Sequence, residues 1–161
     1  MSLLVVPEPK PPSPRCIAAF EALLGPTRVW RDESRRRAAS VDYAWMSPVL
    51  SKALPDVIAD VVLAPRTVSE LAHILSIAFE HDVAVTGRGK GTGNYGQAVP
   101  LTGGVVVDTN ELAEIIDVGD DWIHAEVGAT FVRLEAAARA CGRELAVFVQ
   151  RYGCVEMVGH R

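Results

Sequence analysis

The sequence predicts a domain that mixes helices and strands, and three observations carry that expectation. Val57-Ile58-Ala59-Asp60-Val61-Val62-Leu63 is a β-branched run that stops at Pro65, the pattern of a strand. Thr67-Val68-Ser69-Glu70 then opens an amphipathic helix with a capping box, Thr67 at the N-cap and Glu70 three residues on. Val83-Ala84-Val85-Thr86 reads as a short buried strand that runs straight into Gly87-Arg88-Gly89-Lys90-Gly91-Thr92-Gly93-Asn94-Tyr95-Gly96, a loop in which five of ten residues are glycine.

The other elements follow from the same periodicities. Residues 1–14 hold five of the prolines and form an extended, disordered tail. Residues 15–55 form a helical and irregular segment, in which Ile17, Phe20, Leu23 and Leu24 mark a helix that Gly25-Pro26 ends, a short lid over the sheet edge. The arginine-rich stretch 28–37 is interrupted by Asp32 and Glu33 and reads as a solvated charged segment. Residues 40–43 and 45–48 are irregular chain with a few anchors. Residues 56–161 form the main domain. Its first helix carries Val68, Leu71, Ala72, Leu75, Ala78 and Phe79 on one apolar face and ends near His81-Asp82. Val105-Val106-Val107-Asp108 is a buried strand, and residues 112–118 form a short strand or turn. Alternation over residues 122–127 gives a half-exposed strand. Thr130 caps a last helix with Phe131, Leu134, Ala138 and Cys141 inward and Gly142 as its stop, before a strand over residues 144–149.

Composition excludes several classes. With 161 residues, 49% of them apolar and 22% charged, the chain is an ordinary globular domain. A net charge of −4 argues against nucleic acid as a partner. No apolar run approaches the ~18 residues of a membrane span, and Leu3-Leu4-Val5-Val6 is too short for a signal peptide, so a soluble, cytoplasmic protein is expected. Three cysteines without C-x-x-C spacing suggest neither a disulfide framework nor zinc. His73 and His81 lie too far apart for a helical metal pair, so no metal site is assigned.

The glycine loop carries the chemistry. Glycine lets the backbone approach a ligand closely, and successive N–H groups can converge on an anion. Arg88 and Lys90 add charge, and Thr92 and Asn94 add neutral donors. A mobile surface turn is the alternative, but flexible linkers rarely alternate glycine with cations directly after an apolar strand. Gly91-Thr92-Gly93-Asn94-Tyr95-Gly96 matches G-x-G-x-x-G, yet Pro100 and Gly103-Gly104 forbid the helix that a dinucleotide fold requires. Gly91 after Lys90 excludes a Walker loop. What remains is a loop between two strands that holds a pyrophosphate.

In this order, Pro65-Arg66-Thr67-Val68-Ser69-Glu70-Leu71, the strand and glycine loop, Gly104-Val105-Val106-Val107-Asp108 and Glu126-Val127-Gly128-Ala129-Thr130 resemble the FAD-binding domain of the vanillyl-alcohol oxidase and p-cresol methylhydroxylase flavoproteins. The resemblance runs from about residue 56 to residue 148. It implies an α+β fold, a partial FAD-binding domain of the p-cresol methylhydroxylase type with small mixed sheets flanked by helices. It further implies that Arg88, Gly89, Lys90, Gly91, Thr92, Gly93 and Asn94 contact the FAD pyrophosphate, mainly through backbone N–H groups, with Pro65 and Gly128 close to the cofactor. Some members tether FAD through a histidine near this loop. Here Asn94 and Tyr95 stand there, so non-covalent FAD is expected. The loop is most similar to the glycolate oxidase and D-lactate dehydrogenase branch, which implies oxidation of a 2-hydroxy acid.

No catalytic residue is assigned. Residues 150–161 fit no part of the family pattern, which suggests a truncated or frameshifted product, or one piece of a split enzyme that a second polypeptide completes. The isolated chain is then expected to bind FAD weakly and to turn over no substrate. A non-enzymatic phosphate-binding or nucleotide-binding module is the alternative.

Overall fold

The computed structural model describes residues 10–45 and 58–146. Its elements are helix α1 (Pro14–Leu24), a 3-10 turn (Pro26–Arg28), strand β1 (Val29–Trp30), helix α2 (Glu33–Ala39), strand β2 (Val61–Leu63), helix α3 (Val68–Glu80), strands β3 (Val85–Arg88), β4 (Val105–Asp108), β5 (Ile115–Val118) and β6 (Ile123–Ala125), and helix α4 (Phe131–Ala140). The first four strands form a mixed sheet in the order β1-β2-β4-β3, and β5 and β6 form an antiparallel pair. This is the α+β arrangement of small sheets flanked by helices that the resemblance implied.

The sheet is organised by where β4 sits. β2, α3 and β3 form a crossover unit whose two strands are not neighbours. β4 lies between them and runs parallel to both, with Val105 opposite Val61 and Val85, and Val107 opposite Leu63 and Gly87. Parallel strands need such a covered, apolar environment. One sheet face packs Val61, Leu63, Val105 and Val107 against Cys16, Phe20 and Leu24 of α1 and Ile74 and Ala78 of α3. The other packs Val62 and Val106 against Ala39 and Ala59.

Several expectations are corrected. α1 is no lid over an edge, because Cys16, Phe20 and Leu24 are buried in the main core. It begins at Pro14, with Ser13 Oγ accepting from the Cys16 N–H, and Pro12 just before it is buried. The arginine-rich stretch is largely solvated from residue 31 to residue 38 as expected, and it also contains β1 and α2, with Asp32 capping α2. β3 is a half-exposed edge strand, not a buried one, and it takes in Gly87 and Arg88 from the glycine loop. α3 buries Ile74 and Ala78 with Leu71 and Ile77 beside them, whereas Val68, Leu75 and Phe79 face outward. Cys141 is likewise exposed. Residues 144–146 form no strand, and residues 46–57 and 147–161 lie outside the described residues.

The α3 cap is the expected box with an addition. Thr67 Oγ1 accepts from the Glu70 N–H at 3.1 Å, and Glu70 Oε2 accepts from the Arg66 N–H at 2.7 Å. Glu70 also forms a bidentate pair with Arg28, at 2.6 and 2.9 Å, in which both side chains are largely buried. The pair clamps the turn before β1 onto the start of α3. The Arg28 hydrogen bond, helped by the Arg66 N–H, holds the Glu70 carboxyl below the usual glutamate range. A depressed carboxyl stabilises the fold above its unfolded-state pKa, and that contribution is lost as pH falls through the folded value. Glu70→Gln should therefore lower the unfolding free energy by about 1.5–3 kcal/mol at neutral pH, the range for a hydrogen bond to a charged group. The gap between variant and wild type should close in denaturant titrations taken below the ordinary carboxylate range.

Candidate functional site

Because β2, β4 and β3 run parallel, their C-terminal ends lie at one edge of the sheet. Ligands of open parallel sheets bind outside that edge. Pro65 follows β2 there and is buried, the glycine loop leaves β3 there, and Thr109-Asn110 leaves β4 there. The N-terminus of α3 lies at the same edge, where Arg66 forms an ion pair with Glu111.

Two side chains fix the start of the loop. The Asn110 amide donates from Nδ2 to Gly89 O at 3.1 Å and to Asp108 Oδ1 at 2.6 Å. From the other side, the Arg88 guanidinium donates from Nη1 to Gly89 O at 3.2 Å. Arg88 Nη2 reaches the carbonyls of Ala38 and Val41, so this side chain binds the loop to the C-terminal end of α2. The negative pole of a helix favours a cation at that end. Arg88 thus holds the loop in place through its side chain. Gly91, at φ +66°, sits in the left-handed region that favours glycine, and a Cβ there would displace the Arg88 guanidinium. Further along, Gly93 O accepts from the Tyr43 N–H at 2.8 Å, which ties the loop to the chain after α2.

The remaining loop donors are unengaged. Among the described residues, the N–H groups of Gly89, Lys90, Gly91, Thr92, Gly93 and Asn94 donate to no protein acceptor. Lys90 is exposed and forms no ion pair with another described residue. The buried Arg88 Nε is an unpaired donor, and Asn110 Oδ1 and Asp42 Oδ2 are unpaired acceptors. A Cβ at Gly87 or Gly89 would have no atom of another described residue within 4 Å, chain neighbours aside. Neither glycine is at positive φ, so neither the backbone nor the packing requires one. These donors and that open cradle fit a bound diphosphate.

Gly128 occupies a different place. It is buried beneath the turn after β4, and a Cβ there would overlap the carbonyl oxygens of Thr109, Leu112 at 2.6 Å and Asn110 at 2.9 Å. Its N–H donates to Leu112 O. Gly128 therefore seats the turn that carries Asn110. Asn110 itself was missed in the sequence. The available signal was a turn residue directly after a buried parallel strand.

Residues 59–160 match the FAD binding domain family. The chain belongs to that family. The match reaches residue 160 and so corrects the expectation that the segment from residue 150 fits no part of the pattern. Among curated relatives, the glycolate oxidase subunit GlcD of Bacillus subtilis is 33% identical over 76 residues, 47% of this chain and 16% of the relative. The mitochondrial D-2-hydroxyglutarate dehydrogenase of Bos taurus is 30% identical over 104 residues, 65% of this chain and 18% of the relative. The chain thus spans less than a fifth of either relative's length. Among solved structures, alkyldihydroxyacetonephosphate synthase superposes with a TM-score of 0.71 at 18% identity, covering 87% of this chain and 27% of that one. Substrate-bound p-cresol methylhydroxylase superposes at 0.65 and 19% identity, covering 80% and 24%. The fold is that of a partial p-cresol methylhydroxylase-type domain, and the family that the chain belongs to binds FAD. No described helix is long and apolar enough to cross a membrane.

The two kinds of glycine predict separable outcomes. Gly128→Ala should cost about 1–3 kcal/mol of stability through overpacking, read as a lower denaturation midpoint. Gly89→Ala should leave stability within about 0.5 kcal/mol of wild type. Its effect should instead appear as a roughly tenfold loss in FAD affinity, the equivalent of one hydrogen bond, in a flavin fluorescence titration.

Proposed function

We propose that this chain is the pyrophosphate-holding part of an FAD-linked oxidoreductase that oxidises a 2-hydroxy acid in the cytoplasm. The observation that carries the cofactor assignment is the run of N–H groups over residues 89–94, unengaged among the described residues, at the C-terminal ends of the parallel strands β2, β4 and β3. Gly89, Lys90, Gly91, Thr92, Gly93 and Asn94 hold the diphosphate through these donors, with the Lys90 ammonium adding charge. Arg88 fixes the loop root, Pro65 closes the floor beside it, and Gly128 supports the turn that faces it. The 2-hydroxy acid rests on the names of the relatives, since glycolate and D-2-hydroxyglutarate share that group.

FAD, when bound, supplies the two-electron acceptor for such an oxidation. The described residues contribute binding and orientation. A base for the hydroxyl proton and a cationic clamp for the substrate carboxylate come from outside them, from a second polypeptide or from further sequence.

The test is a titration of the full chain with FAD, followed by anaerobic addition of glycolate, D-lactate and D-2-hydroxyglutarate. Weak but saturable flavin binding is expected, with no bleaching of the flavin absorbance by any of the acids. Absence of binding would overturn the cofactor reading. Purification with stoichiometric flavin that a 2-hydroxy acid bleaches would overturn the division between this chain and a completing partner.

A further inference from the structure

We propose that Asn110 is a positioning residue for the phosphate loop, acting by fixing the orientation of the peptide between Gly89 and Lys90. The inference rests on the FAD-binding reading above and adds a residue to it. The orientation of the Asn110 amide is set by its surroundings. Its Nδ2 faces two acceptors, Gly89 O and Asp108 Oδ1, so the reversed amide would set oxygen against oxygen at both contacts. Asp108 Oδ1 also accepts from the Asn110 N–H at 2.9 Å, which locks the turn and the side chain together.

The consequence follows from peptide geometry. A trans peptide directs its C=O and N–H in opposite senses, and no cis peptide occurs among the described residues. With Gly89 O held inward by Asn110 Nδ2 and Arg88 Nη1, the Lys90 N–H points outward, away from Asn110, where no described residue accepts from it. That N–H follows the Gly89 N–H as the second unengaged donor beyond β3, and it is the one whose direction the Gly89 carbonyl fixes. Gly89 has no Cβ to resist rotation of this peptide, so the side-chain hydrogen bonds set its direction.

Among the described residues, the same side chain's Oδ1 is buried without a protein partner. An orphaned buried acceptor is unfavourable. An asparagine kept only for packing or turn formation would not carry that cost, whereas one kept for its donor end can.

The test uses the full chain, with FAD and inorganic pyrophosphate as probes, and two variants. Asn110→Asp is isosteric and replaces the donor with an acceptor. Asn110→Ala removes the donor without adding charge. Affinity is measured by titration, and the amide resonances of Lys90 and of β4 are followed by NMR. In the wild type, the Lys90 amide should shift on pyrophosphate addition. Both variants should lose about tenfold in affinity for both probes and lose the Lys90 shift, while the β4 amides stay protected from exchange. A merely structural role would lower β4 protection along with affinity, and that outcome overturns the proposal. Loss in Asn110→Asp alone reports charge repulsion and also overturns it, as does unchanged binding in both variants. A wild type that binds neither probe overturns the FAD-binding reading itself, a result distinct from these.

Discussion

The structure depends on the insertion of β4 between β2 and β3. A strand, helix, strand unit could have closed on itself, but here its two strands are held apart by a third that pairs in parallel with both. Val105, Val106 and Val107 are fully or almost fully buried and serve both sheet faces, so apolar burial and the hydrogen-bond ladder reinforce each other. The pairing brings three chain exits to one edge. The site is a by-product of that alignment, since the glycine loop and Asn110 meet only because β3 and β4 end together.

Within the site, the division of labour differs from a simple reading of charge. Two cations flank the glycines, but only Lys90 is free to meet a ligand. Arg88 is engaged with carbonyls at the end of α2 and with its own neighbour, Gly89. On the proposed function, anion binding rests on the unengaged backbone N–H groups of residues 89–94, which need no side-chain ordering on binding. This also reconciles a phosphate site with a net charge of −4, because the favourable potential is local.

Much of this was legible in the sequence, for reasons that differ between elements. The Val105–Asp108 strand and the Thr67 and Thr130 caps were readable because β-branched runs and capping hydroxyls act locally. The buried face of α3 was not. That helix carries apolar residues nearly all round, so its period cannot say whether Ile74 or Leu75 faces the sheet, and the packing of α1 decides it. The glycine loop and its pyrophosphate were read from composition and position, and the resemblance added FAD as the molecule that carries it. Within it, Gly87 and Gly89 keep an open cradle while Gly91 makes room for Arg88, a distinction that only the fold reveals. Asn110 and Arg28 were hidden because their partners, Gly89 and Glu70, are distant in the chain.

On the proposed function, the backbone N–H groups of residues 89–94 hold a diphosphate. The most direct measurement is a crystal structure of the chain with ADP, which carries the diphosphate without the flavin. Phosphate oxygens are expected within hydrogen-bond distance of the Lys90 N–H and its successors, with the Gly89 carbonyl still turned to Asn110. Phosphates seated elsewhere, or a loop whose N–H groups turn inward to protein acceptors, would contradict it.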